Sequence, residues 1–325
     1  MNILVTGGAG YIGSHTCKEL SRQGYPVVVY DNLSTGWKDF AKWGPLVHGD
    51  IRDTQRLRQT IRRHNIDGVI HFAAKAAVGE SVVNPGKYYS NNVMGTLSIL
   101  EAMRDEEVNF LVVSGTCAVY GEPERVPIAE DTPARPINPY GASKLFMERM
   151  LADFEVAHGL HWTSLRYFNA AGCDPDGEVG ERHDPETHLV PNILRAAKGD
   201  IPALTLFGDD YPTPDGTCIR DYVHVCDLAR AHVLAMRRMA EGGRSMPINL
   251  GTGTGFSVKE ILTAAEQVVG RRVPYSIAAR RPGDPPRLVA DPRLAGDALA
   301  WSCQQSSVSL ILETAWQWLD SPHNR

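Results

Sequence analysis

The chain has 325 residues and a formal net charge of −5 at pH 7, a mildly acidic balance that disfavours non-specific binding of nucleic acids. Its length predicts two domains, with enough buried surface to fold without disulfides or structural metals. Its six cysteines form no C-x-x-C unit, which disfavours zinc-finger or redox chemistry and favours reduced thiols in a cytoplasm. We find neither a secretory signal at the start nor an apolar run of about 18 residues, so we expect no membrane partner.

Short apolar runs alternate with longer amphipathic segments through the first half of the chain. The runs lack strict polar alternation, which is typical of strands buried on both faces of a parallel sheet. We predict strands at Ile3–Thr6, Val27–Tyr30, Leu46–His48, Val69–Phe72, Phe110–Ser114 and Trp162–Arg166. We predict helices at Tyr11–Gln23, Thr54–His64, Asn91–Asp105 and Gly141–His158. This alternation predicts an α/β fold with a doubly wound, Rossmann-like parallel sheet.

The composition changes after Asn169. Residues 172–191 are dense in Gly, Pro, Asp, Glu and His without a clear period, and we predict a long ordered loop that serves function. Further helices are predicted near Val190–Lys198, Val225–Met239, Val258–Val269 and Leu310–Leu319. We therefore expect a first domain over residues 1–170 and a smaller α/β substrate-binding domain over residues 171–325, with later segments free to return to the first.

A glycine-rich turn follows the first predicted strand directly. The segment Thr6-Gly7-Gly8-Ala9-Gly10-Tyr11-Ile12-Gly13 contains both a G-x-x-G-x-x-G and a G-x-G-x-x-G spacing. A backbone approaches a pyrophosphate closely only where side chains are absent, and the free N–H groups of a helix start hold the anion. A glycine triplet alone is weak evidence, but its place between a strand and a helix predicts a dinucleotide site in the first domain.

Asp31 follows the second predicted strand, eighteen residues after Gly13. A carboxylate at this point can accept hydrogen bonds from both ribose hydroxyls of adenosine, and it repels a 2′-phosphate. No basic residue follows before Lys38, so the sequence offers nothing nearby to neutralise such a phosphate. We therefore predict NAD rather than NADP as the cofactor, and by the same logic Asp50 and Ile51, after the third strand, lie near the adenine.

Tyr140 and Lys144 stand four residues apart at the start of the fourth predicted helix, and therefore on one face of it. A phenol is a poor base at neutral pH, but a neighbouring ammonium and a nicotinamide cation favour the phenolate. The pair is the only Y-x-x-x-K of the chain. Thr116 follows the end of the fifth strand, where open α/β sheets bind ligands, and its hydroxyl can pass a proton between substrate and Tyr140.

These features together resemble the extended short-chain dehydrogenase/reductase superfamily, and within it the UDP-glucose 4-epimerases. The resemblance covers essentially the whole chain. Three further stretches strengthen it, namely residues 71–73 with 78–81, residues 165–169, and the long and specific segment 207–225. It implies reversible epimerisation at carbon 4 of UDP-hexoses, in which bound NAD transiently oxidises the sugar to a 4-keto form.

The resemblance also implies roles for individual residues. It makes Tyr140 the catalytic base, Lys144 its partner, and Thr116 the residue that binds the sugar 4-hydroxyl. The cofactor-binding positions it implies are Gly7, Gly10, Tyr11, Ile12, Gly13, Asp31, Asn32, Asp50, Ile51, Phe72, Ala73, Asn91, Tyr140, Lys144 and Tyr167. The substrate-binding positions it implies are Thr116, Tyr140, Asn169, His188, Leu189, Thr205, Phe207, Arg220, Arg281, Asp284 and Leu288. The spacing of the eleven histidines predicts no metal site.

Three positions depart from the family pattern. Family members often carry Lys at the position of Ala76, whereas the lysine here is Lys75, one residue earlier. His188 stands where some members have Asn at a sugar-diphosphate position. Leu288 stands where many have a Tyr that closes the sugar pocket, and the smaller side chain predicts that UDP-N-acetylhexosamines are also accepted.

Other functions remain open at this point. The substrate could be a UDP-pentose or a UDP-uronate, because the recognised sugar contacts do not fix the substituent at carbon 5. A NAD-sensing regulatory protein is the non-enzymatic alternative, which the intact catalytic set disfavours. Dehydration is disfavoured because dehydratases of the superfamily place an Asp-Glu pair where this chain has Cys117-Ala118. The resemblance also implies a homodimer paired through Asn91–Asp105 and Gly141–His158.

Overall fold

A seven-stranded parallel sheet forms the framework of this computed structural model, which describes residues 1–281 and 284–324. Numbered along the chain, the strands are β1 (Ile3–Thr6), β2 (Val27–Asp31), β3 (Leu46–His48), β4 (Gly68–His71), β5 (Phe110–Ser114), β6 (His161–Tyr167), β7 (Asn169–Ala171), β8 (Leu204–Phe207), β9 (Ile219–Arg220), β10 (Tyr222–His224), β11 (Met246–Leu250), β12 (Phe256–Ser257), β13 (Tyr275–Ala278) and β14 (Arg287–Leu288). The large sheet has the order β11-β6-β5-β4-β1-β2-β3, and its neighbouring strands all run parallel. The predicted fold class is confirmed.

Helices connect these strands and cover the sheet. They are α1 (Tyr11–Arg22), α2 (Thr54–Arg63), α3 (Val78–Val83), α4 (Pro85–Tyr88), α5 (Gly95–Asp105), α6 (Pro139–His158), α7 (Leu189–Lys198), α8 (Val225–Ala240), α9 (Val258–Val269), α10 (Arg293–Leu299) and α11 (Val308–Asp320). Short 3₁₀ turns cover Lys38–Phe40, Cys117–Tyr120 and Pro322–Asn324. The predicted helix ends are met within two residues, except that a π-helical turn, Tyr89–Met94, precedes α5. Within the described residues, the helices are too short or too polar to span a bilayer.

The central strands are buried on both faces, which is why their apolar residues do not alternate with polar ones. In β1, Ile3 and Val5 pack in one core cluster with Leu20 of α1 and with residues of α8. Leu4, between them, points to the opposite face and packs in a second cluster with Leu57 of α2 and with residues of α5. The sheet therefore separates two apolar cores, each closed by its own layer of helices.

A further core lies outside the large sheet, among α7, α9 and α11, and includes Ile193, Leu262 and Leu312. Small sheets pair β8 with β13, β7 with β10, and β9 with β12 and β14. These strands have two to four residues each, too few for a periodic signal, and the sequence did not predict them. Two segments after residue 170 return to the large sheet, since β11 pairs with β6 and α8 packs on the sheet. The domain boundary at residue 170 stays a prediction.

Candidate active site

The turn after β1 brings the chain against the segment that follows β4. Gly7 has a φ of 73°, and a Cβ atom built on it would lie 2.6 Å from the backbone nitrogen of Ala73. A Cβ atom on Gly13 would lie 2.2 Å from the carbonyl oxygen of Gly7. Gly10 caps α1 in an extended conformation, and the helix begins at Tyr11. Strand, turn and helix therefore pack without side chains, and the cap residue leaves the helix N-terminus open to an anion.

Tyr11 and Ile12 anchor the first turn of α1. The Tyr11 hydroxyl donates a hydrogen bond of 2.5 Å to the carbonyl oxygen of Gly172, and burial raises the pKa of this phenol well above its usual range. Ile12 packs against the apolar core of the sheet. Both side chains thus make contacts within the protein. Only the backbone N–H groups of these two residues, at the helix start, suit a phosphate.

Asp31 is the last residue of β2 and is 7% exposed. Its carboxylate accepts hydrogen bonds from the backbone nitrogens of Ala9, at 3.1 Å, and Leu33, at 2.8 Å. Burial raises the pKa of Asp31, and these two amide donors offset part of the increase. The carboxylate therefore lies against the glycine-rich turn, beside the predicted pyrophosphate position.

Asn32 and Asp50 lie side by side beyond the ends of β2 and β3. Asn32 Nδ2 donates to Asp50 Oδ2 at 3.2 Å, and the Arg52 guanidinium donates to both oxygens of Asp50, at 2.9 and 2.8 Å. These contacts, the Arg52 hydrogen bonds above all, lower the pKa of Asp50. Ile51 is buried against Gly95, where a Cβ atom would lie 2.4 Å from the Ile51 Cδ1. The predicted adenine-side residues thus share one fixed region at this edge of the sheet.

Lys75 reaches the same region from the segment after β4. Its Nζ donates to Ser34 Oγ at 3.2 Å, and its backbone nitrogen donates to Asn92 Oδ1 at 2.8 Å, an oxygen that also accepts from Asn91 Nδ2 at 3.0 Å. The Lys75 charge is near enough to lower the pKa of Asp31. The interpretation that no cation lies near Asp31 is therefore wrong, because tertiary structure supplies a lysine that is distant along the chain.

Tyr140 and Thr116 meet at the carboxyl end of β5. Thr116 caps the 3₁₀ turn that follows this strand, and its Oγ1 accepts from the backbone nitrogen of Ala118 at 3.1 Å. Burial raises the pKa of Tyr140 to about 12, and the nearby Thr116 side chain offsets part of the increase. The two hydroxyls that the sequence predicts to share a proton are thus neighbours.

Lys144 lies one turn along α6 and is 3% exposed. Its Nζ donates to the Ser114 carbonyl oxygen at 2.7 Å and to Ser114 Oγ at 3.0 Å. Burial lowers the pKa of Lys144 to about 7, although Glu148 acts in the opposite direction. The sequence suggested a direct partnership with the Tyr140 phenol, whereas the ammonium is hydrogen-bonded to the end of β5. Ser114 is thus a site residue that the sequence analysis did not single out, although its position at a strand end was a usable signal.

Aromatic rings line the neighbouring strand ends. The Phe72 ring centroid lies 4.6 Å from that of His232, and the Tyr167 centroid lies 6.0 Å from the same ring. Burial raises the pKa of Tyr167, and the nearby Ser114 side chain offsets part of the increase. Tyr167 and Lys144 therefore converge on Ser114 from two elements, which joins predicted cofactor residues to the catalytic ones.

Two arginines and one carboxylate form the centre of the predicted substrate region. Arg220 is 8% exposed and forms a salt bridge with Asp284. Arg281 Nη2 donates to the second oxygen of the same carboxylate at 3.0 Å, and its guanidinium lies 5.0 Å from the Phe207 ring centroid. Two guanidinium groups held side by side suit a diphosphate, because each presents a planar fork of donors.

Leu288 connects this region with the catalytic strand end. In β14 it pairs in register with Arg220 of β9. Its side chain is buried in a small apolar cluster with Cys117 and Phe168, and Cys117 directly follows Thr116. The position that the sequence predicts to line the sugar pocket therefore lies between the predicted diphosphate site and the predicted reaction site.

The other predicted substrate residues are spread over three elements. Asn169 Nδ2 donates to the carbonyl oxygen of Asp221 at 3.2 Å. Thr205 lies on the exposed face of β8, and Leu189 begins α7, whose cap residue His188 makes no side-chain capping hydrogen bond. Among the described residues, no hydrogen bond or ion pair joins these four positions to the catalytic residues. Their roles stay predictions.

Comparison with known protein families shows to which family the chain belongs. The model of the NAD dependent epimerase/dehydratase family matches residues 3–251. The matched range contains the glycine-rich turn, the catalytic set and Arg220. The chain belongs to this family. The recognition of an epimerase relationship from sequence is confirmed.

Over nearly its whole length, the chain is similar to proteins named UDP-glucose 4-epimerase. A curated relative from Rhizobium meliloti (strain 1021), named UDP-glucose 4-epimerase, is 51% identical over 98% of this chain and 96% of its own. The crystal structure of UDP-glucose 4-epimerase from Brucella ovis in complex with NAD is 54% identical, with a TM-score of 0.95 and 97% of both chains covered. That of the Bifidobacterium longum enzyme with NAD⁺ and UDP is 38% identical, with a TM-score of 0.95 and 100% of both chains covered.

Proposed function

We propose that this protein interconverts UDP-galactose and UDP-glucose by epimerisation at carbon 4, with NAD as its bound cofactor. The observation that carries the proposal is the meeting of the Tyr140 and Thr116 hydroxyls at the carboxyl end of β5, beside the glycine-rich turn. Full-length similarity to UDP-glucose 4-epimerases, two of them solved with NAD, supports both the reaction and the cofactor.

The cofactor would lie across the carboxyl edge of the sheet between β1 and β4, where the strand order changes direction. The close packing around the glycine-rich turn fits this role. A Cβ atom on Gly36, for example, would lie 3.0 Å from both Ala9 and the Asp31 carboxylate. The N-terminus of α1 suits the pyrophosphate, and Asp31 would accept hydrogen bonds from the adenosine ribose. When bound, NAD supplies an acceptor that takes a hydride from carbon 4 and returns it to the opposite face of the sugar.

Tyr140 would take the proton of the sugar 4-hydroxyl. Burial raises the pKa of this phenol to about 12, so the phenol needs positive charge nearby to act as a base near pH 7. The Lys144 ammonium, hydrogen-bonded at Ser114, and the cationic nicotinamide ring would together supply that charge. Thr116 would hold the sugar oxygen and relay the proton between it and Tyr140.

The substrate would be held by its UDP group while the 4-keto sugar turns over. Asp284 already holds the side chains of Arg220 and Arg281 in place. Substrate binding would therefore cost little further conformational entropy of these two side chains. The start of α7 at Leu189 offers further backbone donors to a phosphate. A ligand held by its diphosphate leaves the hexose free to present either face to the cofactor, which C4 epimerisation requires.

Turnover of UDP-galactose by the purified chain tests the proposed function. We expect UDP-glucose to form without added nucleotide, because the catalytic cycle regenerates NAD⁺, and we expect denatured protein to release NAD. UDP-pentoses and UDP-uronates serve as comparison substrates. Faster turnover of one of these would reassign the substrate, and absence of turnover in protein that carries NAD would support a regulatory role. Release of NADP as the main nucleotide would contradict the cofactor assignment.

We further propose that the UDP-N-acetylhexosamines are substrates. Leu288 lies in the apolar cluster next to the predicted reaction site, and it offers an acetyl methyl group a non-aromatic wall. We expect Leu288→Tyr to lower kcat/KM for UDP-N-acetylgalactosamine relative to UDP-galactose by about 10-fold or more, in the range that pocket contacts discriminate. Leu288→Met, of similar volume, is the control and should leave the ratio nearly unchanged. An acetamido sugar that is inert with the native chain would refute this assignment.

We infer that the chain forms a homodimer. Met94, Tyr89 and Phe146 are exposed large apolar side chains on the π-helical turn and α6, and the rings of Tyr89 and Phe146 lie 6.5 Å apart. Adjacent exposed apolar residues often mark an interface. Sedimentation should give about twice the chain mass of 35.7 kDa, and Phe146→Glu should shift the protein toward monomer. Ile277→Glu, at an exposed apolar residue of β13, is the control; a native monomer would contradict the inference.

We also infer a cytoplasmic location from thiol chemistry. The six cysteines are free, and four of them are buried. Burial raises the pKa of Cys117 to about 12, so this thiol beside the predicted reaction site is not a nucleophile. Unpaired cysteines suit a reducing compartment. Recovery of the chain in an oxidising compartment on cell fractionation would contradict the inference.

A further inference from the structure

Four potential metal ligands converge in the long loop between β7 and α7. Glu181, His183, Glu186 and His188 each offer one ligand atom, and these atoms all lie within 4.8 Å of one another. Both histidines face the carboxylates through Nδ1. The spacing of the histidines alone predicts no metal site. The carboxylates complete the set only when the folded loop brings them together.

Two of the four histidine–carboxylate distances fall within the ligand spacing of a tetrahedral ion, and the other two are shorter. His183 Nδ1 lies 3.5 Å from Glu181 Oε1 and 3.5 Å from Glu186 Oε2. His188 Nδ1 lies 2.8 Å from Glu181 Oε1 and 3.2 Å from Glu186 Oε1. A tetrahedral zinc ion with bonds of about 2.0–2.2 Å separates its ligand atoms by about 3.3–3.6 Å. The loop therefore holds two imidazoles and two carboxylates near the spacing that one zinc ion requires, and the His188–Glu181 pair, at 2.8 Å, would have to separate slightly to admit it.

Burial and hydrogen bonding give a second, independent indication. The Glu181 and Glu186 side chains are 3% and 5% exposed. Among the described residues, Glu181 Oε1 and His183 Nδ1 make no well-aligned hydrogen bond, and their only polar contacts are ion-pair contacts within the cluster. Buried polar atoms are almost always hydrogen-bonded, so two such atoms side by side without a well-aligned hydrogen bond favour a further partner. A cation between them would satisfy both.

A neighbouring acidic cluster in the same loop differs from this one because a lysine already lies among its carboxylates. Asp174, Asp176 and Glu178 also lie within ligand distance of one another. Lys18 Nζ forms salt bridges with all three, at 2.7, 2.6 and 2.6 Å. This second cluster therefore already holds a cation, the lysine ammonium, and provides a matched control.

We propose that Glu181, His183, Glu186 and His188 form a closed zinc site that stabilises the loop before α7. Two imidazole nitrogens and two carboxylate oxygens in a tetrahedral arrangement suit Zn²⁺ better than Mg²⁺ or Ca²⁺, which prefer six or more oxygen ligands. Coordination through Nδ1 leaves the Nε2 N–H of His188 available as a donor. The site has no open ligand position, so its role is structural, and it goes beyond the proposed function.

Metal content of the tag-free protein tests the proposal. One equivalent of Zn²⁺ is added, loosely bound ion is removed by gel filtration, and zinc is measured by mass spectrometry. We expect close to one zinc per chain. His183→Gln and Glu181→Gln keep the side-chain shape approximately, and each should lower zinc retention by about 10-fold or more, since loss of even an outer-shell partner costs 10–100-fold in affinity. Asp176→Asn, in the cluster held by Lys18, should retain the native zinc content.

Substitution with Co²⁺ gives a readout that does not depend on retention or on enzyme activity. Tetrahedral Co²⁺ absorbs strongly in the visible region, and this band should appear at one equivalent in the native protein and in Asp176→Asn, and be absent in His183→Gln. Native protein that retains no zinc and shows no tetrahedral Co²⁺ band would overturn the proposal and leave a network of ion pairs. Unchanged metal content in both ligand variants would overturn it equally. Epimerase activity can persist or fail in either case, so the two proposals are tested separately.

Discussion

Tyr140→Phe is expected to lower kcat on UDP-galactose by about 10²–10⁴-fold, the usual contribution of a general acid–base group. The change removes one hydroxyl, and the remaining ring keeps its packing against Tyr88, whose centroid lies 6.5 Å away. Loss of the hydroxyl beside the Thr116 side chain should cost about 1 kcal/mol of stability at most, the usual net contribution of one hydrogen bond. The measurement is kcat and KM together with nucleotide content.

Two comparisons make this result specific. NAD content and UDP affinity should remain close to native, since the phenol hydroxyl would act on carbon 4 and not on the UDP group. Tyr275→Phe removes a hydroxyl from an exposed tyrosine of β13 and should have native kinetics. If Tyr140→Phe kept full activity, another group would have to be the base. If it lost NAD as well, the effect would be structural.

Gly7→Ala is expected to abolish stable NAD retention and to destabilise the protein. The new Cβ atom would meet the backbone nitrogen and Cα of Ala73 at 2.6 and 2.9 Å, and neither atom can move without shifting the end of β4. The positive φ of 73° adds about 1–2 kcal/mol of left-handed strain, and the clash adds about 1–3 kcal/mol typical of overpacking. Urea unfolding and released nucleotide measure the two effects.

Gly24→Ala separates strain from close approach. Gly24 has a φ of 80°, nearly that of Gly7, but a Cβ atom there would have no other atom within 4 Å. It should therefore show only the cost of the left-handed conformation and should retain native NAD content. Equal stability and equal NAD content in the two variants would show that the approach of Gly7 to Ala73 is not required for the cofactor site.

The sequence by itself determined six of the seven strands of the main sheet and the kinds of side chain at the candidate site. The apolar runs at Ile3–Thr6 and Phe110–Ser114 predict strands buried on both faces, and both strands occur with those bounds. The glycine spacing and the Tyr140–Lys144 spacing are also local signals, because turn sterics and helix periodicity act over a few residues. Such features can be predicted without knowledge of the distant chain.

Tertiary structure alone decided the contacts that define the chemistry. Lys75 reaches Ser34, Lys144 is hydrogen-bonded to Ser114 rather than directly to the phenol, and β11 joins the sheet beside β6. The two-residue strands and the Glu181–His188 cluster likewise depend on partners that only the fold brings near. The physical reason is that hydrogen bonds, ion pairs and burial depend on distance in space, whereas sequence patterns report only what neighbouring residues do to one another.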